Sequence, residues 1–309
     1  SSPAGNDLLF DEKQCEQGRN FCNKIWNALR LVKGWEISQG DEALTTAHDW
    51  FEARANEALA QLNKQFSQYR LSEALMTIYR LFWDDFCSWY LEMVKPSFGG
   101  AMNSGDLKRV IENFELALKM LHPFLPFVSE EAWHQLGERK SGEDLMMSQW
   151  PEVKEENKSL IEMGETFKTL ISALRNVRIE NDLKPKEEIE LFINTKNQGA
   201  YASFEELIHK LGFVSSVEFV SEKMDDARSF LIGTDECYVP VSIDIEEEIA
   251  RIKKELDYNK GFLNAVEKKL SNERFVNNAP EVVVNKERQK QEDAKAKIKM
   301  LEESLVKLA

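Results

Sequence analysis

The chain has 309 residues, of which 42% are hydrophobic and 30% are charged, and its formal net charge is −14. At roughly 100–200 residues per domain, this length predicts two or three domains. The composition excludes wholesale disorder, no apolar run reaches the ~18–20 residues that span a membrane, and the first residues do not have the pattern of a signal peptide. The negative charge argues only weakly against nucleic-acid binding, because it is unevenly distributed.

The sequence contains none of the common motifs of catalytic or cofactor sites. Its cysteines form no CxxC pair, its histidines show no HExxH spacing, and there is no GxGxxG, GxxxxGK[ST] or GxSxG. We therefore expect no catalytic residue, no metal and no cofactor in this chain. Scattered thiols in a chain of this length are typical of a reducing, cytoplasmic compartment. Because Ser1 is not an initiator Met, we also expect the chain to be a piece of a longer one.

Glycine and proline are scarce, and the first half of the chain has helical periodicity. The pattern predicts five helices, at about residues 11–33, 41–66, 72–95, 106–121 and 126–137. Asp41 is the expected N-cap of the second helix, and Pro96 ends the third. We interpret residues 1–151 as a helical bundle whose core is rich in aromatic side chains, among them Trp26, Trp50, Phe82, Trp83, Phe86, Trp89 and Trp133.

The pattern changes after Pro151. A helix is predicted at about 155–179, a strand at 189–193, a helix at 201–211, and further strands at 217–220, 230–232 and 237–241. Residues 152–241 are thus expected to form a small α/β module. Because helices are predicted over most of the other segments, the whole chain is expected to be mainly α.

Residues 242–309 contain two runs of apolar residues with heptad spacing, separated by a polar break at 272–280. The first run has one polar position, Asn259, in its a/d seam. Two such runs joined by a short break favour an antiparallel coiled-coil hairpin. The alternative is that each helix pairs with another chain.

Charge is distributed differently in this arm. Residues 241–309 have 14 basic and 14 acidic side chains, whereas the preceding residues have 26 basic and 40 acidic ones. Residues 251–299 alone have 13 basic against 8 acidic side chains. A basic projection on an acidic body is typical of a polyanion-binding arm, although lysine-rich flanks are also common on solvated coiled coils.

The first helix has two different faces. At 100° per residue, one arc holds Phe21, Cys22, Ile25, Ala28, Leu29 and Val32, and the opposite arc holds Arg19, Asn23, Trp26, Asn27, Arg30 and Lys33. Cations hold phosphates, amides hydrogen-bond base edges, and aromatic rings stack on unpaired bases. Two alternatives remain: that Trp26 packs on a neighbouring helix, which we favour for that residue, and that Arg19 or Arg30 pairs with a carboxylate of the bundle.

Several segments resemble one family. Residues 18–30, with the sequence GRNFCNKIWNALR, are similar to the opening helix of the anticodon-binding domain of class I aminoacyl-tRNA synthetases, and most similar to the valyl enzymes. Two further blocks agree in order and spacing, at residues 82–92 (FWDDFCSWYLE) and 121–133 (LHPFLPFVSEEAW). Residues 269–280 (KLSNERFVNNAP) resemble the hairpin tip of the C-terminal coiled coil of valyl enzymes.

The resemblance implies the C-terminal region of a class I valyl-tRNA synthetase, comprising the anticodon-binding domain and the coiled-coil arm. It implies valine tRNA as partner, together with the catalytic and editing domains of the same polypeptide, in a cytoplasmic monomer. The full-length enzyme would use ATP, but this chain would neither bind ATP nor activate valine. The resemblance places the anticodon loop on the bundle and the outer corner of the tRNA on the arm. The anticodon-side candidates are Arg19, Asn23, Asn27, Arg30, Lys33 and Trp35, and the arm-side candidates are Lys268, Lys269, Arg274, Lys286, Arg288 and Lys290.

Two other classes of function are weaker alternatives. A non-catalytic scaffold would use the coiled coil for dimerisation with another protein. A hydrolase would use scattered acids and histidines, but we interpret His122 and His134 as packing residues of the bundle. The acid pairs Asp84-Asp85 and Glu130-Glu131 are interpreted as surface and helix-start charges.

Overall fold

The structure is a computed structural model that describes residues 11–41, 43–181, 183–224, 227–240, 245–272 and 280–308. Two compact units divide between Glu165 and Thr166. The first unit contains α1 (Glu12–Lys33), β1 (Ile37–Ser38), α2 (Thr45–Ser67), α3 (Leu71–Arg80), a π-helical segment (Leu81–Tyr90), α4 (Leu91–Val94), β2 (Met102–Asn103), α5 (Ser104–Leu121), α6 (Pro126–Leu136), a 3₁₀ turn (Leu145–Met147) and the start of α7 (Lys158–Glu180). The second unit contains the rest of α7, β3 (Ile189–Asn194), α8 (Gln198–Ala202), α9 (Glu205–Gly212), β4 (Val214–Phe219), β5 (Arg228–Ile232), β6 (Asp235–Val239), α10 (Ile245–Leu270) and α11 (Glu281–Leu308).

The protein is mainly α, as the sequence predicts. Within the described residues, no helix combines the length and the apolar character that crossing a membrane requires.

An aromatic cluster fills the core of the first unit. The ring of Phe86 lies 4.8 Å from that of Phe114 and 5.2 Å from that of Phe51, and Phe51 stacks on Tyr90 at 4.7 Å between centroids. All four side chains are fully buried. Rings at these separations add to the stability that their buried apolar area already supplies. The core is therefore aromatic, as predicted, but Trp26 is not part of it, because it lies on the exposed side of α1.

Two helices of the bundle differ from the prediction. The segment expected to be one α-helix over 72–95 contains ten residues of π-helix, Leu81–Tyr90. There the Ser88 hydroxyl donates a hydrogen bond to the Trp83 carbonyl, five residues back. Helix α2 begins at Thr45, four residues after the predicted start, and Asp41 is not its N-cap.

Asp106, from α5, explains the late start of α2. Its Oδ1 accepts hydrogen bonds from the backbone N–H groups of Ala43 and Leu44, each at 3.0 Å. The carboxylate thus holds the two residues that precede the helix, and the N-cap position itself is occupied by Leu44, whose side chain makes no capping hydrogen bond. A local sequence pattern cannot reveal such a contact from another helix.

The second unit has a four-stranded sheet in the order β4-β3-β6-β5. Strands β3 and β4 are parallel, and β6 is antiparallel to both of its neighbours. The buried guanidinium of Arg178, on α7, donates to the carbonyls of Gly212 at 2.7 Å and Phe213 at 2.9 Å. The α/β character is as predicted. The helix expected at 201–211 is divided into α8 and α9 around Ser203 and Phe204, and the strands β4, β5 and β6 begin earlier than predicted.

Helices α10 and α11 form an antiparallel hairpin. Ion pairs connect Lys260 with Glu302 at 2.7 Å and Lys269 with Glu287 at 3.1 Å, so the chain directions are opposed. The predicted seam is buried between the helices, at Ile252, Leu256, Asn259, Val266, Val284, Ala294, Ile298 and Leu301. The predicted hairpin is therefore confirmed, and the two helices cover each other's apolar stripe. Residues 273–279, the predicted tip, lie outside the described residues.

Candidate nucleic-acid interface

Helix α1 presents a polar face to solvent. The residues of the predicted polar arc are all exposed, and we call this set the outer face of α1: Arg19, Asn23, Trp26, Asn27, Arg30 and Lys33. The opposite arc is buried, apart from the half-buried Cys22. Asp11 caps the start of the helix by accepting a hydrogen bond from the Lys13 N–H, and Gly34 ends it. The helix therefore holds its polar side chains on one continuous, accessible surface.

The two arginines of the outer face are not used to hold the bundle together. Arg19 Nη2 lies 4.0 Å from a carboxylate oxygen of Glu16, one turn earlier, and both side chains are mostly exposed. Arg30 is exposed and has no carboxylate partner in the described part of the chain. An exposed pair such as Arg19–Glu16 contributes ~0–1 kcal/mol to stability. Both guanidinium groups remain available to a ligand.

Trp26 is only partly covered. Its side chain is 38% exposed, so part of the ring is accessible, and this exposure is compatible with packing of the rest of the ring against a neighbour. It lies between Arg19 and Lys33 around the helix axis, so the outer face combines cations, amides and an aromatic surface. Stacking on an unpaired base requires such an accessible ring.

The remaining two candidates lie where α1 ends. The Lys33 ammonium donates to Gln135 Oε1 of α6 at 3.1 Å, which leaves two of its three donors for other partners. Trp35 follows Gly34 and is half-buried, and its N–H points to the Val32 carbonyl at 3.4 Å. The structure thus brings Lys33 and Trp35 to the same end of the outer face.

A buried polar network fixes the segment that leaves this end of α1. The Glu36 carbonyl accepts a hydrogen bond from the Met102 N–H at 2.7 Å, and β1 pairs in parallel with β2. Farther along, Asp106 Oδ1 lies 2.9 Å from His48 Nε2, while His48 Nδ1 lies 2.8 Å from the Tyr90 hydroxyl. Because the ionised Asp106 carboxylate can only accept, His48 Nε2 is the donor in the first contact, and Nδ1 shares the second hydrogen bond with the tyrosine hydroxyl. Sequence reasoning missed this network, although a histidine close to the apolar residues Ala47, Trp50 and Phe51 is a signal for one.

Hydrogen bonds set the charge state of Asp106. Burial alone would raise the pKa of this carboxyl group, but the hydrogen bonds from Leu44 N–H, His48, Ala43 N–H and Asn103 outweigh burial and lower it. Asp106 is therefore an ionised carboxylate at neutral pH, and its role is to position the chain.

The arm candidates form two groups. Lys268, Lys286 and Arg288 are exposed and have no carboxylate partner among the described residues. Lys269 and Lys290 both bind Glu287, at 3.1 Å and 2.9 Å. Hydrogen bonds from Lys290 and Lys269 lower the pKa of Glu287. Arg274 lies outside the described residues. Within the described part of the hairpin, three of the candidate cations thus have no carboxylate partner, and two share one.

Three side chains of the bundle that could take part in chemistry are committed to structure. Burial raises the pKa of the Cys87 thiol to about 12, which leaves it protonated and a poor nucleophile. The Asp85 carboxylate is paired with Arg54 at 3.0 Å. His122 Nδ1 lies 2.8 Å from the Ser129 hydroxyl, which itself donates to the Leu125 carbonyl.

One cluster has the residue types of a metal site. Glu130, His134 and Asp144 each place one potential ligand atom within 4.8 Å of the others. His134 Nε2 lies 3.1 Å from Asp144 and 3.4 Å from Glu130. The Glu130 carboxylate already accepts hydrogen bonds from the N–H groups of Leu145 and Met146, so it caps the 3₁₀ turn. Ion pairing and capping account for the cluster.

Comparison with known proteins identifies the class of the bundle. Residues 48–193 match the family model described as the anticodon-binding domain of tRNA ligase. Helix α1 precedes that range, but the similarity to individual relatives extends over the whole of this chain and includes α1. The first unit is therefore an anticodon-binding domain of the tRNA-ligase type.

The arm and the relatives identify the particular family. Residues 244–309 match the model described as the valyl tRNA synthetase tRNA binding arm. Over its whole length, the chain is 45% identical to a valine–tRNA ligase of Christiangramia forsetii and 48% identical to one of Bacteroides fragilis, and in both cases it covers 36% of the relative. It is 33% identical over 94% of its length to that of Oceanobacillus iheyensis. The chain belongs to the valine–tRNA ligase family and corresponds to the C-terminal part, about a third of the length of these relatives.

Proposed function

We propose that this chain is the tRNA-binding part of a cytoplasmic, monomeric valine–tRNA ligase, and that valine tRNA is its ligand. The full-length enzyme would attach valine to its tRNA with ATP, at aminoacylation and editing sites in the rest of the polypeptide. The chain would supply binding and no chemistry. The proposal is supported by the two family models, which match an anticodon-binding domain and a tRNA-binding arm.

The observation that carries the proposal is the outer face of α1. It presents two arginines, two asparagines and a tryptophan on one exposed surface, and neither arginine is held in a buried ion pair. Single-stranded loops are the parts of RNA whose bases can be read, by stacking and by hydrogen bonds to their edges. We assign this face, with Lys33 and Trp35 at its end, to the anticodon loop.

The arm would serve affinity rather than sequence readout. Its exposed cations, Lys268, Lys286 and Arg288, are spread over the two helices of the hairpin. Contacts from such cations to phosphates position an RNA but carry no base information. We therefore assign the arm to the outer corner of the tRNA.

The experiment is a filter-binding titration of the 309-residue chain with valine tRNA and with an unrelated tRNA, over a salt series. Tighter binding of valine tRNA supports the proposal, and equal binding of both RNAs at all salt concentrations contradicts it. In parallel, the chain should not catalyse valine-dependent exchange of pyrophosphate into ATP. Exchange above background, in a preparation free of host enzyme, would contradict the assignment of the chemistry to the rest of the polypeptide.

A further inference from the structure

A second cationic surface lies in the first unit, away from the residues of α1. It is a groove of about 600 Å³ between α2, the end of α3 and residues 153–156. Its lining includes Lys64, Arg80 and Lys154, together with Gln61, Ala58 and Leu81. We call it the α2–α3 groove.

Three of the four cations that line the groove form no ion pair among the described residues. Lys64, Arg80 and Lys154 are exposed, and none has a carboxylate partner in the described part of the chain. The first unit as a whole has 17 basic and 27 acidic side chains. Carboxylates are therefore abundant in this unit, yet three cations from three different segments line one groove without forming an ion pair among the described residues.

The carboxylates that line the same groove are already neutralised. Arg54 pairs with Asp85 at 3.0 Å and with Glu57. Glu156 pairs with Lys158 at 3.3 Å. The unpaired charge that a ligand would meet in the groove is positive.

The backbone that carries Lys154 is held in place. The Lys154 N–H donates to Asn56 Oδ1 at 2.6 Å, and Asn56 Nδ2 donates back to the Lys154 carbonyl at 3.0 Å. The Trp150 indole N–H donates to Asn63 Oδ1 at 2.9 Å, so this segment is fixed to α2 at a second point. Because Lys64 and Arg80 project from helices, all three cations have fixed attachment points, and binding requires little ordering of the backbone.

We propose that the α2–α3 groove binds the phosphodiester backbone of RNA, as a second contact surface of the first unit. None of the residues that line the groove is aromatic. A nucleotide-binding pocket would be expected to offer a ring for the base, whereas backbone phosphates need only cations and space. The inference rests on the proposed function, because it assumes that the ligand of this unit is RNA.

The test is a salt series with the full chain and a valine tRNA transcript. The variant combines Lys64→Gln, Arg80→Gln and Lys154→Gln, and the matched control combines Lys13→Gln, Lys108→Gln and Lys140→Gln. The control removes the same charge from exposed positions outside the groove. If each groove cation neutralises one phosphate, the slope of log affinity against log salt should fall by about 2–3 in the groove variant and stay near the wild-type value in the control.

A second readout separates this groove from the outer face of α1. Backbone contacts are independent of sequence, so the groove variant should weaken binding of valine tRNA and of an anticodon-swapped transcript by the same factor. An unchanged slope in the groove variant, with normal wild-type binding, overturns the groove assignment alone and favours a protein partner. If the wild-type chain binds neither RNA, the proposed function fails as well.

Discussion

The carboxylate of Asp106, on α5, contacts three residues that lie 58, 62 and 63 positions earlier in the sequence. It is 1% exposed and accepts hydrogen bonds from Leu44 N–H, His48 and Ala43 N–H. Because these donors stabilise the ionised form, the pKa of Asp106 is lower in the folded protein than the ~3.9 of an unfolded aspartate. Its contribution to stability is therefore fully present above about pH 4 and is lost as the pH falls through the folded pKa.

The substitution Asp106→Asn tests this role. We expect it to lower the free energy of unfolding at pH 7 by about 1–3 kcal/mol, because buried donors lose a charged acceptor. Urea titrations of the wild type and the variant at several pH values measure the effect. The two stabilities should converge below about pH 4. A constant difference at all pH values would contradict the role of the ionised carboxylate.

Gly164 marks a close approach of two helices within the first unit. A Cβ built at this position would lie 2.0 Å from Nε1 of Trp50, whose side chain is fully buried. We expect Gly164→Ala to destabilise the protein by about 1–3 kcal/mol, because a rigid ring cannot yield to the added atom. The control is Gly18→Ala, in α1, where a Cβ meets nothing within 4 Å. It should stabilise by ~0.5–1 kcal/mol, and equal melting temperatures of both variants would contradict the packing argument.

The contrast between α1 and α2 shows which features of individual residues a sequence predicts: the buried face of a helix, but not contacts from distant helices. The faces of α1 were predictable because burial follows the local 100° periodicity, from Phe21 to Val32. The start of α2 was not, because Asp106 of another helix holds the residues just before it and Asp41 does not cap it. The residue type of Trp26 favours burial, whereas its side chain is 38% exposed on α1. The roles assigned to the outer face remain predictions.

At the scale of elements, the arm hairpin was the most predictable part of the molecule. Heptad spacing of apolar residues predicts both helices, and its interruption predicts the break between them. The π-helical segment Leu81–Tyr90 was not predictable, since its hydrogen bonds differ from those of an α-helix without a change in apolar periodicity. The division between α8 and α9 was also missed. No glycine or proline separates them, and the chain turns at Ser203 and Phe204.

The polar seam position Asn259 makes the hairpin testable. Asn259 is buried, and its side-chain amide donates to the Glu255 carbonyl at 2.8 Å. Such a residue costs stability but specifies register and association state. We expect Asn259→Leu to raise the temperature at which the arm unfolds within the full chain, measured by calorimetry. We also expect the variant to self-associate with increasing concentration, measured by sedimentation. A lower melting temperature would mean that the amide stabilises the hairpin.

At the scale of the whole molecule, the charge is divided between an acidic body and a neutral arm with a basic stretch. Neutralising Lys268, Lys286 and Arg288 together should reduce the slope of log tRNA affinity against log salt concentration by about 2–3. The reason is that each of these exposed cations is expected to contact one phosphate. Anticodon preference should not change. If the slope keeps its wild-type value, the basic flank of the hairpin is only a solvated surface.

The central claim is that the outer face of α1 reads the anticodon loop. The most direct test measures the affinity of the full chain for valine tRNA and for the same tRNA with a swapped anticodon, in Arg19→Ala, Arg30→Ala and Asn27→Ala, with thermal unfolding recorded on the same samples. Arg70→Ala, at another exposed arginine, is the control. We predict that each arginine variant weakens valine tRNA binding by about 1–3 kcal/mol without a change in melting temperature, and that Asn27→Ala narrows the preference between the two transcripts. Wild-type affinity and preference in both arginine variants would contradict the claim.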